Sequence, residues 1–321
     1  MVTIYLLCAL GLGLAWVVYD EIADDDDSTA ATGPEPEPEP EPTEGDDILV
    51  GTDGADTLSG GAGNDDISGG AGNDDLSGGT GSDTMDGGGG WDVVMGDGGN
   101  DLADGGSGDD AVTGGKGNDT VSGQAGHDWV DGGNGDDVVT GNSGDDAVIG
   151  GTGEDELEGG EGDDLLVGGK LFSRDLTMEE LSAMRDIAAA DGDADLPDGV
   201  GYAVTDDGDA DTISGANGDD TLILGDGDSA LGGDGEDLFY LLGGVYVDPA
   251  QLMDFDAADD TLTYVHDAGT PQPTLALTDN GDGTQTLTAD GNPVAVLNTA
   301  AGLALGDIAF YERGSDPSFV M

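Results

Sequence analysis

An aspartate recurs every nine residues from Asp56 to Asp164, each two residues after a glycine and two before an apolar side chain. The series is Asp56, Asp65, Asp74, Asp83, Asp92, Asp101, Asp110, Asp119, Asp128, Asp137, Asp146, Asp155 and Asp164. Carboxylates at this spacing on glycine-rich turns present hard, charged oxygens. Glycine lets the backbone approach closely, so carbonyls can face the same point. Oxygen-only donors on a flexible loop suit calcium far better than zinc or copper.

The aspartates occupy position six of a nine-residue unit, Gly-Gly-x-Gly-x-Asp-x-U-x with U apolar. It runs thirteen times without insertion from Gly51 to Val167. Positions one and four are glycine in every copy and are read as the turn residues with positive φ. Position eight is Leu58, Ile67, Leu76, Met85, Val94, Ala103, Val112, Val121, Val130, Val139, Val148, Leu157 and Leu166, with only Ala103 weak. The x-U-x half alternates, so U points inward and its neighbours outward. Three such residues bury nothing alone. Stacked coils bury a continuous row, so the fold exists only as an array.

The unit resembles the calcium-binding nonapeptide repeat of the RTX, or hemolysin-type, family. That resemblance implies a parallel β-roll with two repeats per coil and calcium between the turns of successive coils. It further implies that each position-six aspartate shares an ion with the repeat two further on, giving about 13 − 2 = 11 sites.

Electrostatics points the same way. Residues 51–167 hold 28 acidic residues against one lysine, a net of 1 − 28 = −27. Charge this dense opposes compaction. Roughly eleven Ca²⁺ would add about +22, so metal binding and folding are expected as one event. The whole chain carries 72 acidic and 5 basic residues, which excludes nucleic acid as a partner and disfavours anionic membrane surfaces. Cys8 is the only cysteine, so no intrachain disulfide exists.

Val2 to Tyr19 is an uncharged, mostly apolar run long enough to span a bilayer. It reads as an uncleaved anchor, with a cleaved export signal as the alternative. Residues 20–44 form an acidic linker. Its Pro/Glu alternation from Pro34 to Pro42 favours extended polyproline II. Residues 45–169 are then the main array, since Gly45 to Val50 already keeps its register.

The period breaks after Gly169. Thr177-Met178-Glu179-Glu180 reads as a capping box, opening a helix to about Ala190 within an insert over 170–205. Asp191 to Asp195 reads as an acidic turn, with a metal loop as the alternative. The repeat resumes over 206–242, with matches around Asp220 and Asp237 and a unit, one residue short, that places Ser229 where Asp belongs. One or two further ions are expected there. From residue 243 on, alternating stretches at 274–277, 284–288 and 294–297 form a β cap, with Asn280-Gly281 and Asp282-Gly283 read as hairpin turns. The end Ser318-Phe319-Val320-Met321 resembles, loosely, that of some type I secretion substrates.

Catalytic signatures are missing from the sequence. There is no His-Glu-x-x-His and no Gly-x-Ser-x-Gly, and the histidines are His127 and His266 alone. His127 stands at position five of its repeat and is read as structural.

Successive repeats lie on opposite sides of a roll, so the two walls are compared every eighteen residues. From the fifth repeat, one wall carries Val93, Met95, Ala111, Thr113, Trp129, Asp131, Ala147, Ile149, Leu165 and Val167. The other carries Asp66, Ser68, Thr84, Asp86, Leu102, Asp104, Thr120, Ser122, Val138, Thr140, Glu156 and Glu158 and is mainly polar. An apolar wall implies a cover. The insert helix or the cap folded back in cis is one candidate, and a protein or self-association partner around Trp129 is the other.

The expected fold is all-β, a parallel β-roll with a short helical insert and a C-terminal antiparallel β cap. The expected function is that of a non-enzymatic, exported calcium-binding module, extracellular or at the cell surface. It would be tethered through residues 2–19 and serve structure or adhesion. The alternative is a secreted effector with an unrecognised activity in the insert or the C-terminal region.

Overall fold

The computed structural model describes residues 43–172, 181, 202–244, 247–267, 269–298 and 303–313. The apolar run at 2–19, the Pro/Glu alternation, the acidic turn at 191–195 and the last four residues lie outside them, as does the expected helix apart from Leu181, which is helical. Among the described residues, no helix is long and apolar enough to cross a membrane.

Two long parallel sheets face each other. One has thirteen strands and the other eleven, and the chain alternates between them. Partners are eighteen residues apart throughout the main array: Trp129 pairs with Ala111 on one side and with Ala147 on the other. One coil is therefore two repeats. From Thr57–Ala62 to Glu156–Glu161 the strands are six residues long, as in Asp66–Ala71, and not the three of the x-U-x half. The ladder continues through positions one to three of the next repeat, because the glycines let stacked turns approach closely enough to bond. Gly51 N donates to Ser68 O at 2.8 Å and Ala71 N to Thr52 O at 3.1 Å.

The position-eight row is the core. Every member from Leu58 to Leu166 is buried, Ala103 included. The row continues through Ile213, Leu222, Ala230 and Phe239 to the cap residues Leu287, Ala295 and Leu297.

The interruption does not end the roll. Glu156–Glu161 pairs directly with Thr212–Asn217, and Leu165–Val167 with Thr221–Leu224. The insert is a detour from a single turn, entering by strand Lys170–Phe172 and returning by its antiparallel partner Tyr202–Thr205. At the far end, Asn292–Asn298 joins one sheet beside Ala250–Leu252, and Thr284–Ala289 and Leu275–Asp279 extend it antiparallel. Only one hairpin turn falls at 280–283. The second is Asp290-Gly291, with φ of 50° and 86°, the paired left-handed residues of a tight hairpin turn.

The apolar wall is covered within the chain. Val93 and Ala111 are buried with Leu181 of the insert, against which Met95 and Trp129 also pack. Further along, Ile149, Val167, Ile223 and Val265 are buried with Leu171 and Val204 of the insert hairpin. The polar wall faces solvent, with Leu102 and Val138 exposed on it. An Ile149→Val substitution removes one methylene from beneath this cover. It is expected to cost about 1 kcal/mol, measured by denaturant unfolding in saturating calcium. An unchanged midpoint would mean that the wall is not packed in solution.

Candidate metal centre

The position-six aspartates do two things with their two oxygens. Oδ1 accepts the backbone N–H of the position-six residue one coil earlier, at 2.7–2.9 Å: Asp101 N to Asp119 Oδ1, Asp119 N to Asp137 Oδ1, Asp110 N to Asp128 Oδ1, and so along both edges of the roll. Oδ2 is left over. In Asp65, Asp83, Asp101, Asp110, Asp119, Asp128, Asp137, Asp146, Asp155, Asp164 and Asp220 it is buried with no hydrogen-bond partner. These side chains are at most 4% exposed. Asp74 and Asp92 take the same ladder positions.

What surrounds Oδ2 explains position one. Its glycine lies outside the left-handed region, so conformational freedom is not why it is glycine. A Cβ on Gly132 would stand 2.7 Å from Asp137 Oδ2 and 2.7 Å from the carbonyl oxygen of Gly150 in the next coil. Position one is glycine because a carboxylate and a carbonyl share that space. The positive φ belongs to positions two and four, as at Gly133 (105°) and Gly135 (134°), and not to one and four.

A buried carboxylate oxygen without a donor is costly. A divalent cation removes that cost, and the surrounding donors are all oxygens, as calcium requires. Among the described residues no three His, Cys, Asp or Glu side chains converge as a metal cluster. The cradle at Gly132 instead sets one carboxylate oxygen beside a backbone carbonyl of the next coil, and oxygen donors of this kind fit calcium and fit a transition metal poorly.

The sequence profile of the RTX calcium-binding nonapeptide repeat matches residues 42–76, 68–103, 104–139, 140–170 and 204–231. The chain belongs to the RTX family. RTX repeats bind calcium, and the buried aspartate series fits their turns. Among solved structures, the extracellular lipase LipA from Serratia marcescens aligns over 84% of this chain at 16% identity and a TM-score of 0.25. The alignment spans only 40% of the lipase. No curated protein matches the chain.

Two further RTX ladder residues emerge beyond the insert. Asp155 N donates to Asp211 Oδ1 at 2.9 Å across 56 residues, and 56 − 18 = 38 residues are the detour. Asp211 N in turn donates to Asp228 Oδ1 at 3.1 Å, a step of 17. Asp228, and not Ser229, thus stands at position six. The residue missing from that unit is lost from its turn, which sets the register one place earlier than the sequence alone suggests. Asp237 accepts from Asp220 N at 3.0 Å and donates from its own N to Asp260 Oδ1 at 3.2 Å, which carries one file into the cap.

Position five builds a second ladder in the opposite sense. Its side chain accepts the N–H of position five one coil later: Ser82 N to Asn64 Oδ1 at 2.9 Å, Asp163 N to Asp145 Oδ1 at 3.1 Å. His127 belongs here. Its Nδ1 accepts from Asp145 N at 3.0 Å, so the ring serves as one rung. The signal was in the sequence as a preference for Asn and Asp at that position.

Burial raises the carboxyl pKa values along the RTX file, from an ordinary 3.8 to about 8 at Asp128 and Asp155 and to about 6 at Asp119 and Asp137. Loss of hydration is the largest cause in each. The backbone N–H bond pulls the other way, and neighbouring aspartates push further up.

Proposed function

We propose that this chain is an exported, non-enzymatic RTX roll that folds on calcium and serves as a rigid surface or adhesion module, held at a distance by its acidic linker and tethered through residues 2–19. The row of buried, unpartnered Oδ2 atoms carries the reading. It makes the carboxylates at Asp65, Asp83, Asp101, Asp110, Asp119, Asp128, Asp137, Asp146, Asp155, Asp164 and Asp220 the ligands, with Asp74, Asp92 and Asp237 at equivalent places. About eleven ions fill the main array, with one or two beyond it. The net charge of −67 keeps such a roll apart from its own copies until calcium lowers it. Sites of this extracellular type bind at about 10⁻⁴–10⁻³ M, so they stay empty in the cytosol and fill outside. The absence of hydrolase signatures from the sequence supports a structural role.

Equilibrium dialysis of the full chain in detergent tests the reading. Roughly a dozen calcium ions are expected to bind with millimolar or slightly tighter midpoints, and magnesium is not expected to replace them. Fewer than a handful of ions, or equal binding of magnesium, would overturn it.

A further inference from the structure

The first coil differs at one atom from the repeats of Asp65, Asp83 and Asp101 in the main array; beyond the insert, Asp228 Oδ2 likewise has a donor, Gly225 N at 2.6 Å, but no hydroxyl. Where Oδ2 of Asp65 has no partner, Oδ2 of Asp56 accepts both the backbone N–H of Thr52 and, at 3.0 Å, its hydroxyl. The same arrangement repeats one unit earlier. Asp47 Oδ2 accepts Thr43 N at 2.9 Å and Thr43 Oγ1 at 2.8 Å. Each hydroxyl is itself held, since Thr43 Oγ1 accepts Gly45 N and Thr52 Oγ1 accepts Gly54 N, both at 3.2 Å.

The cause lies in the residue at position two. From Gly61 to Gly160 that position is left-handed in every repeat, including the three where it is Asp97, Gln124 or Asn142. A β-branched residue does not tolerate that region. Thr43 and Thr52 do not adopt it, and the turn they make brings N–H and hydroxyl onto the carboxylate four residues on. The location also has a reason. Each later aspartate in the main array receives a position-six N–H from the coil before it, but Asp47 and Asp56 head their files. They donate to Asp65 and Asp74, and among the described residues no earlier coil donates to them.

We propose that Thr43 and Thr52 stand in for calcium at the open end of the roll, so that the first coil closes without an ion and the ion file starts at Asp65. This rests on the calcium reading above. It departs from the repeat pattern, which would count Asp56 as a ligand like the rest. A carboxylate oxygen with two protein donors has little to gain from a cation that must displace them, whereas its neighbour one repeat on has no other partner. The end coil then forms a template whose closure does not wait for metal, and on which calcium-filled coils can stack.

Native mass spectrometry of the full chain in calcium decides the matter, with bound ions counted for wild type, Asp56→Asn and Asp119→Asn. Asp56→Asn is expected to keep the wild-type count, while Asp119→Asn loses at least one ion. Loss of an ion from Asp56→Asn overturns the proposal. Should that variant fail to fold, Asp47→Asn at the other threonine-capped aspartate carries the same two outcomes. A wild-type chain that holds no calcium overturns the calcium reading itself, and this inference with it. An ion lost from both Asp56→Asn and Asp119→Asn overturns this inference alone.

Discussion

In excess chelator at neutral pH, the full chain is expected to lose its β-sheet circular dichroism and regain it on adding millimolar calcium. The argument starts from the ladder. Folding brings one carboxylate per repeat into a slot where Oδ1 has a donor and Oδ2 has none. Each folded coil thereby adds desolvated like charges, and the core offers in return a single apolar side chain per repeat, often only a valine, or an alanine at Ala103. A ligand that binds only the folded state stabilises it by RT ln(1 + [L]/Kd), about 1.4 kcal/mol for each site at ten times its Kd. Eleven such sites match the whole net stability of an ordinary domain, about 5–15 kcal/mol. Removing the metal therefore removes the fold and not just some rigidity. A spectrum that stays the same in chelator and in calcium would end this account.

Acid should partly replace calcium. The folded-state carboxyls sit high, with Asp128 and Asp155 near 8, Asp101, Asp110 and Asp164 near 7, and Asp211 near 9 because burial and then the Asp228 charge both disfavour its anion. In the unfolded chain these groups return to ordinary carboxyl values. Between those values and the raised ones the folded roll binds more protons than the unfolded chain, so stability falls as pH rises through the window. The chelated chain is accordingly expected to gain β signal as pH is lowered from about 8 to about 5, and the calcium midpoint to tighten in the opposite direction as protons cease to compete.

Much of this was legible because a strict period carries three-dimensional information. Nine residues per side fixes which aspartates align, that Val130 and Val148 stack, and that Val93 and Ile149 share a wall that must be covered. What escaped are contacts between coils. Positions one and two look alike as Gly-Gly, and only the neighbouring carbonyl, as at Gly150 beside Gly132, shows which of them needs space and which needs a left-handed φ. Asp228 was hidden by a one-residue deletion that shifted Ser229 into its place, and Asp211 by a detour that breaks the count. The threonine caps were hidden because Thr43 and Thr52 matter only where a file begins. The cover over the apolar wall was expected as a need. Its members Leu171, Leu181 and Val204 come from a segment with no period to read.

The two functions of a single aspartate can be separated at Asp119. Asparagine keeps a carbonyl oxygen for the N–H of Asp101, now 2.8 Å from Oδ1, but puts a neutral amide where the bare oxygen stood. It should lose the ion and keep the ladder, at a cost of about 1–3 kcal/mol in saturating calcium. Alanine loses both. The Asp101 N–H is then left inside the stacked turns without an acceptor, which adds about 1–3 kcal/mol, so the total is expected near 3–5 kcal/mol. In chelator the order changes. The neutral asparagine relieves a desolvated charge that the wild type must bury, so Asp119→Asn is expected to need less acid than wild type to compact, while Asp119→Ala gains less because its ladder is broken. Chemical unfolding in calcium and acid titration in chelator, run on both variants, read these two orders. If asparagine and alanine behave alike under both conditions, the ladder contributes nothing and the aspartate acts through the cation alone. If asparagine matches wild type in calcium, the bare oxygen is not where the ion binds.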